Sequence, residues 1–372
     1  MAEGFTFCSP SMRLEINDSA FFVCRAIAWV PDMSDRWRVT VVLVMVAALV
    51  ACAGPRLQPS LPENRVPALH ETNALMADGY VLPLSVWKPE GEIKAVVLAL
   101  HGMNDYRHAF ANVGTHLAAS GIATYAYDQR GFGETESRGM WSGTRRMVLD
   151  METMAALLHA RYPAVPLYLL GDSMGGAVLL ASLSHNPGPQ GVSGMVLVAP
   201  AVWARATMNP FQRLLLWLGV HTLPAHALSG EGLHIKPSDN SEMLCALGRD
   251  PLVIKKTRID TLDGLADLMD EAAASVPRLR GKVLIQIGAH DEVIPRRPTC
   301  QMLAMLADRA EQRPRVVIYP EGYHMLTRDL RADIVLRDIA RWIGDAGHSP
   351  LSDELPGNAL TSASDFCYTG DK

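Results

Sequence analysis

The chain has 372 residues, 49% of them hydrophobic, with a formal net charge of −5 and six cysteines. That is enough apolar material for one large domain with an insertion. The weakly acidic balance and the lack of any long basic block argue against nucleic acid as a partner, and the wide cysteine spacing suits neither a disulfide framework nor a zinc site.

Residues 39–51 form an apolar run of thirteen behind Arg36 and Arg38. A spanning helix needs about 20 residues, so the run reads as the core of a cleaved leader. It ends in Leu49-Val50-Ala51-Cys52, which resembles the lipobox of bacterial lipoproteins. Residues 33–51 are therefore expected to be a lipoprotein signal peptide. Cys52 is the expected lipidation site, anchoring the mature chain in the bacterial cell envelope, at the outer membrane or the periplasmic face. An ordinary cleaved signal and an uncleaved anchor helix are the alternatives. Residues 1–32 put a mixed-charge stretch ahead of this leader and read as an upstream extension, with the start at Met33. Residues 52–69, with prolines at 55, 59, 62 and 67, read as a lipidated cysteine followed by an extended tether.

From residue 70 onward strands and helices alternate. Strands are predicted near 79–87, 95–100, 122–127, 166–170, 194–199, 282–287 and 315–319. Helices are predicted near 107–120, 144–161, 174–185, 298–309 and 329–344. Such alternation predicts an α/β fold with a mostly parallel central sheet flanked by helices. The core falls in two parts, 70–200 and 282–344. Residues 201–281 break the pattern and read as a helical cap insertion at the carboxyl edge of the sheet. Residues 345–372, rich in Gly, Ser, Pro, Asp and Thr, read as a disordered tail.

Chemistry gathers at the carboxyl ends of the predicted strands. Gly171-Asp172-Ser173-Met174-Gly175-Gly176 lies between an apolar strand and a helix, the setting in which Gly-x-Ser-x-Gly holds a serine at the tip of a sharp turn. Ser173 is the candidate nucleophile; a serine that merely caps the helix is the alternative. Asp291 follows the strand at 282–287 and is the candidate acid, with Glu292 ranked second. His324 follows the strand at 315–319 and is the candidate base. The order serine, acid, histidine is that of an α/β-hydrolase. The strand at 95–100 runs into His101-Gly102-Met103-Asn104, a loop expected to face the substrate, the His101 imidazole being tied to nearby backbone. The backbone N–H groups of Met103 and Met174 are the candidate oxyanion donors.

These motifs, together with Asp128-Gln129-Arg130-Gly131-Phe132-Gly133, Arg249-Asp250-Pro251-Leu252-Val253, Gly288-Ala289-His290-Asp291 and Gly322-Tyr323-His324, resemble the monoacylglycerol lipase and lysophospholipase branch of the serine α/β-hydrolases over residues 70–344. Two positions depart from it: Asp172 stands where many relatives carry histidine, and Glu134-Thr135 follow Gly-Phe-Gly where the family often has a serine nearby. The resemblance implies an α/β-hydrolase fold and hydrolysis of a lipid ester through an acyl-enzyme, with no cofactor and no metal. An acyltransferase using the same triad, or a non-catalytic envelope lipoprotein on a hydrolase scaffold, are the rival readings. In the insertion, Phe211, Leu214, Leu215 and Leu218 share a helix face and are expected either to pack in the core or to line an acyl pocket. Met208, Leu216 and Trp217 are expected to form an exposed tip that touches the bilayer. Asp128 and Arg130 are expected to order a loop. Asp150 and Glu152, and the series Asp260, Asp263, Asp267 and Asp270, read as solvated helix faces. Cys245, Cys300 and Cys367 leave room for one disulfide, with nothing to choose the pair.

Overall fold

The computed structural model describes residues 54–59, 61–185, 191–307, 313–345, 351 and 363–368. The chain divides into two units, Met1–Cys52 and Ala53–Lys372. The expected leader and Cys52 belong to the first and lie outside the described residues.

The second unit is built on short apolar runs. Six of them form β4 (Ala95–Leu100), β5 (Ile122–Tyr127), β6 (Leu167–Asp172), β7 (Val192–Val198), β10 (Val283–Gly288) and β11 (Arg315–Tyr319). Ahead of them come β1 (Ala68–Leu69), β2 (Asn73–Leu75) and β3 (Val81–Trp87); β8 (Ala227–Ser229) and β9 (Lys256–Arg258) pair separately in the insertion. The main sheet has nine strands in the order β1-β2-β3-β5-β4-β6-β7-β10-β11, parallel from β5 to β11 and antiparallel from β1 to β5.

Strands β4, β5, β6 and β10 are buried at every position, which requires cover on both faces. Alternation along β4 divides the core: Val96, Leu98 and Leu100 join one cluster, Ala95, Val97 and Ala99 the other. The first is closed by α2 (Thr144–Arg161), α3 (Met174–His185), α6 (Ile259–Ser275) and α7 (Arg296–Ala307), through Met151, Val178, Leu268 and Met302. The second is closed by α1 (Ala111–Ala119) and α8 (Ala332–Gly344), through Val113, Ile339 and Trp342. The chain leaves β4 for β5 on one side and returns to β6 on the other. The carboxyl ends of β4 and β6 therefore flank a switch point, where such sheets bind ligands.

The insertion is smaller than residues 201–281 suggested. Its outer part holds α4 (Pro210–Thr222), α5 (Ser241–Arg249) and the β8–β9 pair. Asn209 caps α4 by accepting from the Phe211 N–H, and the Gln212 side chain accepts from the Asn209 N–H, with Pro210 in the first turn. Helix α6 belongs to the core layer instead: Leu268 and Ala272 are fully buried in the first cluster.

Three readings of charge and order are corrected. Asp150 is buried, held by the Arg130 guanidinium at 2.5 and 2.9 Å, while Asp78 binds the other side of the same guanidinium. Asp260 is also buried, bound by Arg258; Asp263, Asp267 and Asp270 converge on Arg205 instead of facing solvent alone. Within the expected disordered tail, Ala363–Tyr368 form helix α9, with Phe366 buried and a disulfide from Cys367 to Cys300 on α7. The expectation for Asp128 holds: its carboxylate accepts the Arg107 and Glu134 N–H groups, closing the turn after β5. Among the described residues no helix is long and apolar enough to cross a membrane.

Candidate active site

Close packing builds the turn between β6 and α3. A Cβ at Gly175 would overlap the Leu100 carbonyl on β4, and one at Gly171 would meet the Gly175–Gly176 peptide at 2.5 Å. With both glycines in place the chain reverses in one residue, and that residue, Ser173, takes φ +50. A left-handed conformation is strained for a residue with a side chain and persists only where the surroundings impose it. Here the Ser173 N–H donates to Val198 O at 2.9 Å and its carbonyl accepts from Ala177 and Ala201.

Strands β10 and β11 bring the distant residues to the same edge. The Ser173 hydroxyl and His324 Nε2 are 2.9 Å apart, and His324 Nδ1 lies 2.8 Å from Asp291 Oδ2. The other Asp291 oxygen accepts the N–H groups of Val293 and Ile294 at 2.8 and 2.9 Å, which fixes the carboxylate plane. Glu292, the second-ranked acid, binds the Lys236 N–H instead. The Asp291 bond places the imidazole proton on Nδ1 and leaves Nε2 to accept the serine proton. Burial disfavours the imidazolium. The Asp291 carboxylate, by charge and by hydrogen bond, and Asp172 nearby outweigh it, so His324 is held above the usual imidazole value, with Arg328 opposing. Asp172 is itself buried; desolvation pushes its carboxyl up to about 6 against the pull of Arg328 and His324.

A cavity of about 470 Å³ opens above Ser173. Met103 and Met174 line it, and among the described residues neither backbone N–H donates to a protein acceptor. Both donors are thus available on the serine's side of the cavity. Met174 opens α3, so its N–H is one of the free donors at a helix N-terminus. The wall is apolar, with Asn104 and Gln212 as polar points, as in a site for a ligand with a long apolar part. His101 and Gly102 are not part of that wall. The His101 imidazole is fully buried, donating from Nδ1 to Gly102 O at 2.8 Å and accepting the Gln129 N–H on Nε2 at 3.0 Å, so it shapes the loop.

The cap helix turns the face opposite to the one expected. Phe211, Leu214, Leu215 and Leu218 are 64, 51, 51 and 42% exposed and do not line the cavity. Met208, Gln212 and Leu216, spaced by four, face it instead. Of the expected exposed tip only Trp217 is outside, at 54%. The opposite wall is the stripe Leu262, Leu265, Ala266 and Met269 on α6, a spacing of three and four that marks a helix face in the sequence itself but was obscured by the aspartates between.

The family model for serine aminopeptidase S33 matches residues 91–331. The chain is 27% identical over 279 residues to a monoacylglycerol lipase of Mycolicibacterium smegmatis, covering 71% of this chain and 93% of that one. It is 25% identical over 300 residues to the human monoglyceride lipase, covering 78% and 94%. Among solved structures, a soluble variant of the Saccharomyces cerevisiae monoglyceride lipase bound to a substrate analogue superposes with a TM-score of 0.63 at 19% identity, covering 79% of this chain and 98% of that one. The Paleococcus ferrophilus monoacylglycerol lipase gives 0.58 at 18%, covering 71% and 98%. With that match over most of its length, the chain belongs to the serine aminopeptidase S33 family, in the monoacylglycerol lipase-like branch of the α/β-hydrolases, and is a serine ester hydrolase.

Proposed function

We propose that this hydrolase cleaves glycerolipids carrying one acyl chain, as a monoacylglycerol lipase or lysophospholipase. The observation that carries the reading is the apolar cavity of about 470 Å³ directly over the Ser173 hydroxyl, roofed by α4. Ser173 Oγ attacks the ester carbonyl while its proton passes to His324 Nε2. The tetrahedral oxyanion is met by the N–H groups of Met103 and Met174. Collapse breaks the bond to the alcohol, which leaves with the proton from His324. Water then attacks the acyl-enzyme, His324 taking its proton, and the fatty acid departs as Ser173 recovers its own. Asp291 holds the imidazole and stabilises its charged form without taking the proton.

The working place we propose is a membrane surface, with the chain held by lipid on Cys52. Two features support this. The outward face of α4 is apolar, and the first described residues dock beside that helix: the Arg56 N–H donates to Asp260, whose own N–H donates to Pro224 just beyond α4.

Fatty-acid release from monoacylglycerol, lysophospholipid and short-chain esters, by the chain from Ala53 and its Ser173→Ala variant, tests the activity. Release that vanishes in the variant and is fastest on a single-chain glycerolipid is expected; release confined to short esters would overturn the lipid assignment. Incorporation of labelled fatty acid into the full chain in a bacterial host, lost in Cys52→Ala, tests the anchor.

A further inference from the structure

His324 sits in residues 320–331, between β11 and α8, a stretch with no regular element. The Asp291 bond orients its ring, but the backbone carrying it needs its own support. We infer that Asp329 and Ser238 supply it: Asp329 is a positioning residue for His324, held in turn by Ser238 of the cap.

Asp329 is buried, and its two carboxylate oxygens do two different things. Oδ2 accepts the Tyr323 N–H at 2.8 Å, fixing the Gly322–Tyr323 peptide one residue ahead of His324. Oδ1 accepts the Ser238 hydroxyl at 2.6 Å. Ser238 is completely buried, and its Oγ also accepts the Asn240 N–H at 3.1 Å. Asn240 caps α5 by accepting from the Met243 N–H, and its amide donates to Arg328 O at 3.0 Å. Two more bonds join the segments, Met325 N–H to Pro237 O at 3.0 Å and Leu330 N–H to the Asp239 carboxylate at 2.9 Å. The cap segment Lys236–Asn240 therefore grips the histidine loop at Met325, Arg328, Asp329 and Leu330, and Asp329 carries that grip back to Tyr323, ahead of His324.

A buried carboxylate is tolerated only with its acceptors filled, and losing one partner costs more than the bond itself. With Ser238 removed, Asp329 gains by turning towards water and releases the Tyr323 N–H. A shift of about 1 Å at a catalytic base can cost about 100-fold in rate. The insertion thus has a second task besides roofing the cavity: it holds the general base in register. This rests on His324 acting as the base for Ser173, and it holds whichever ester is the preferred substrate.

The test uses p-nitrophenyl acetate, which does not need the acyl cavity, and the rate at which a fluorophosphonate labels Ser173. Asp329→Ala is expected to lower kcat and the labelling rate by roughly 10- to 100-fold with KM little changed, and Ser238→Ala to do so by roughly tenfold. The double variant should be no worse than Asp329→Ala, because both act through one contact. Asp329→Asn should retain activity within a few-fold, its carbonyl keeping the Tyr323 N–H and its NH₂ donating to Ser238 Oγ. Glu321→Ala, which removes an exposed pair with Arg331 on the same loop, should match wild type. A folded Asp329→Ala with unchanged kcat and labelling overturns the inference, as does an additive double variant or an Asp329→Asn as impaired as Asp329→Ala. If Asp329→Ala does not fold, Ser238→Ala and Asp329→Asn decide on the same readouts. A wild type that fails to label would instead overturn the serine mechanism itself.

Discussion

At the scale of single residues, the site turns on how strongly His324 holds a proton. In the proposed mechanism only neutral imidazole takes the Ser173 proton, so kcat/KM should rise with pH as His324 deprotonates. Because His324 is held above the ordinary 6.5, the acid limb of that profile should centre above 6.5. Asp172 contributes to this: it is a buried carboxylate that raises the His324 value while Arg328 lowers it. Asp172→Asn removes one negative charge beside the imidazole, so the acid limb should move to lower pH, with kcat on the plateau reduced because the imidazolium of the transition state loses an anion. Asp291 and Arg328 remain beside the imidazole and set the residual value. The limb belongs to the Asp172–His324 pair, since the two titrate within reach of one another. A profile of p-nitrophenyl acetate hydrolysis between pH 5 and about 9, the range over which imidazole changes charge, checks this; an unmoved limb would show that Asp172 is electrostatically silent. Asp291→Asn tests the other anion, with an expected loss in kcat of roughly 10⁴-fold at unchanged fold.

At the scale of elements, α4 is apolar on nearly every side, and the proposed function gives its two faces different work. Leu214→Ser with Trp217→Ser alters only the outer face, so hydrolysis of monoacylglycerol in vesicles should fall several-fold while hydrolysis of a soluble short ester and the unfolding midpoint stay unchanged. Leu216→Ser alters the cavity wall, and its KM for long-chain esters should rise even in detergent. Equal loss in both assays for the outer pair would point to folding instead of surface contact. The two faces also show where legibility ended. The central strands were readable because a short Val/Leu/Ile-rich run bounded by turn residues has few other uses, and Ser173, Asp291 and His324 were readable because each follows such a run. Orientation of α4 was not: with Phe211, Leu214, Leu215, Leu216, Trp217 and Leu218 all apolar, periodicity has no polar side to oppose, and only the packing of Met208 and Leu216 over Ser173 decides the face. The same limit hid the burial of Asp150 and Asp260, whose partners Arg130 and Arg258 lie on other elements, and the pairs β1–β2 and β8–β9, two and three residues long, which are too short to show alternation.

At the scale of the whole molecule, the C-terminal helix is stapled back onto the core. The Cys300–Cys367 bond spans 67 residues and joins α7 to α9, where Phe366 is buried with the Arg296 guanidinium over its ring. No pattern in the sequence could choose this pair, because Cys245 was an equal candidate until the fold left it exposed and free. Closing a loop of that length restricts the unfolded chain by about 4 kcal/mol in the chain-entropy model, so Cys367→Ser or reduction should lower the unfolding midpoint by several degrees. Activity on a soluble ester should be unchanged, because neither α7 nor α9 lines the cavity over Ser173. Such a bond persists in oxidising compartments and is reduced in the cytosol, so it bears on the envelope location proposed from Cys52. Thiol titration of the denatured chain from Ala53, purified from the periplasm of a bacterial host, should find one free thiol, Cys245. A count of three would mean that α9 is held by Phe366 packing alone, and would remove the disulfide as support for an envelope enzyme.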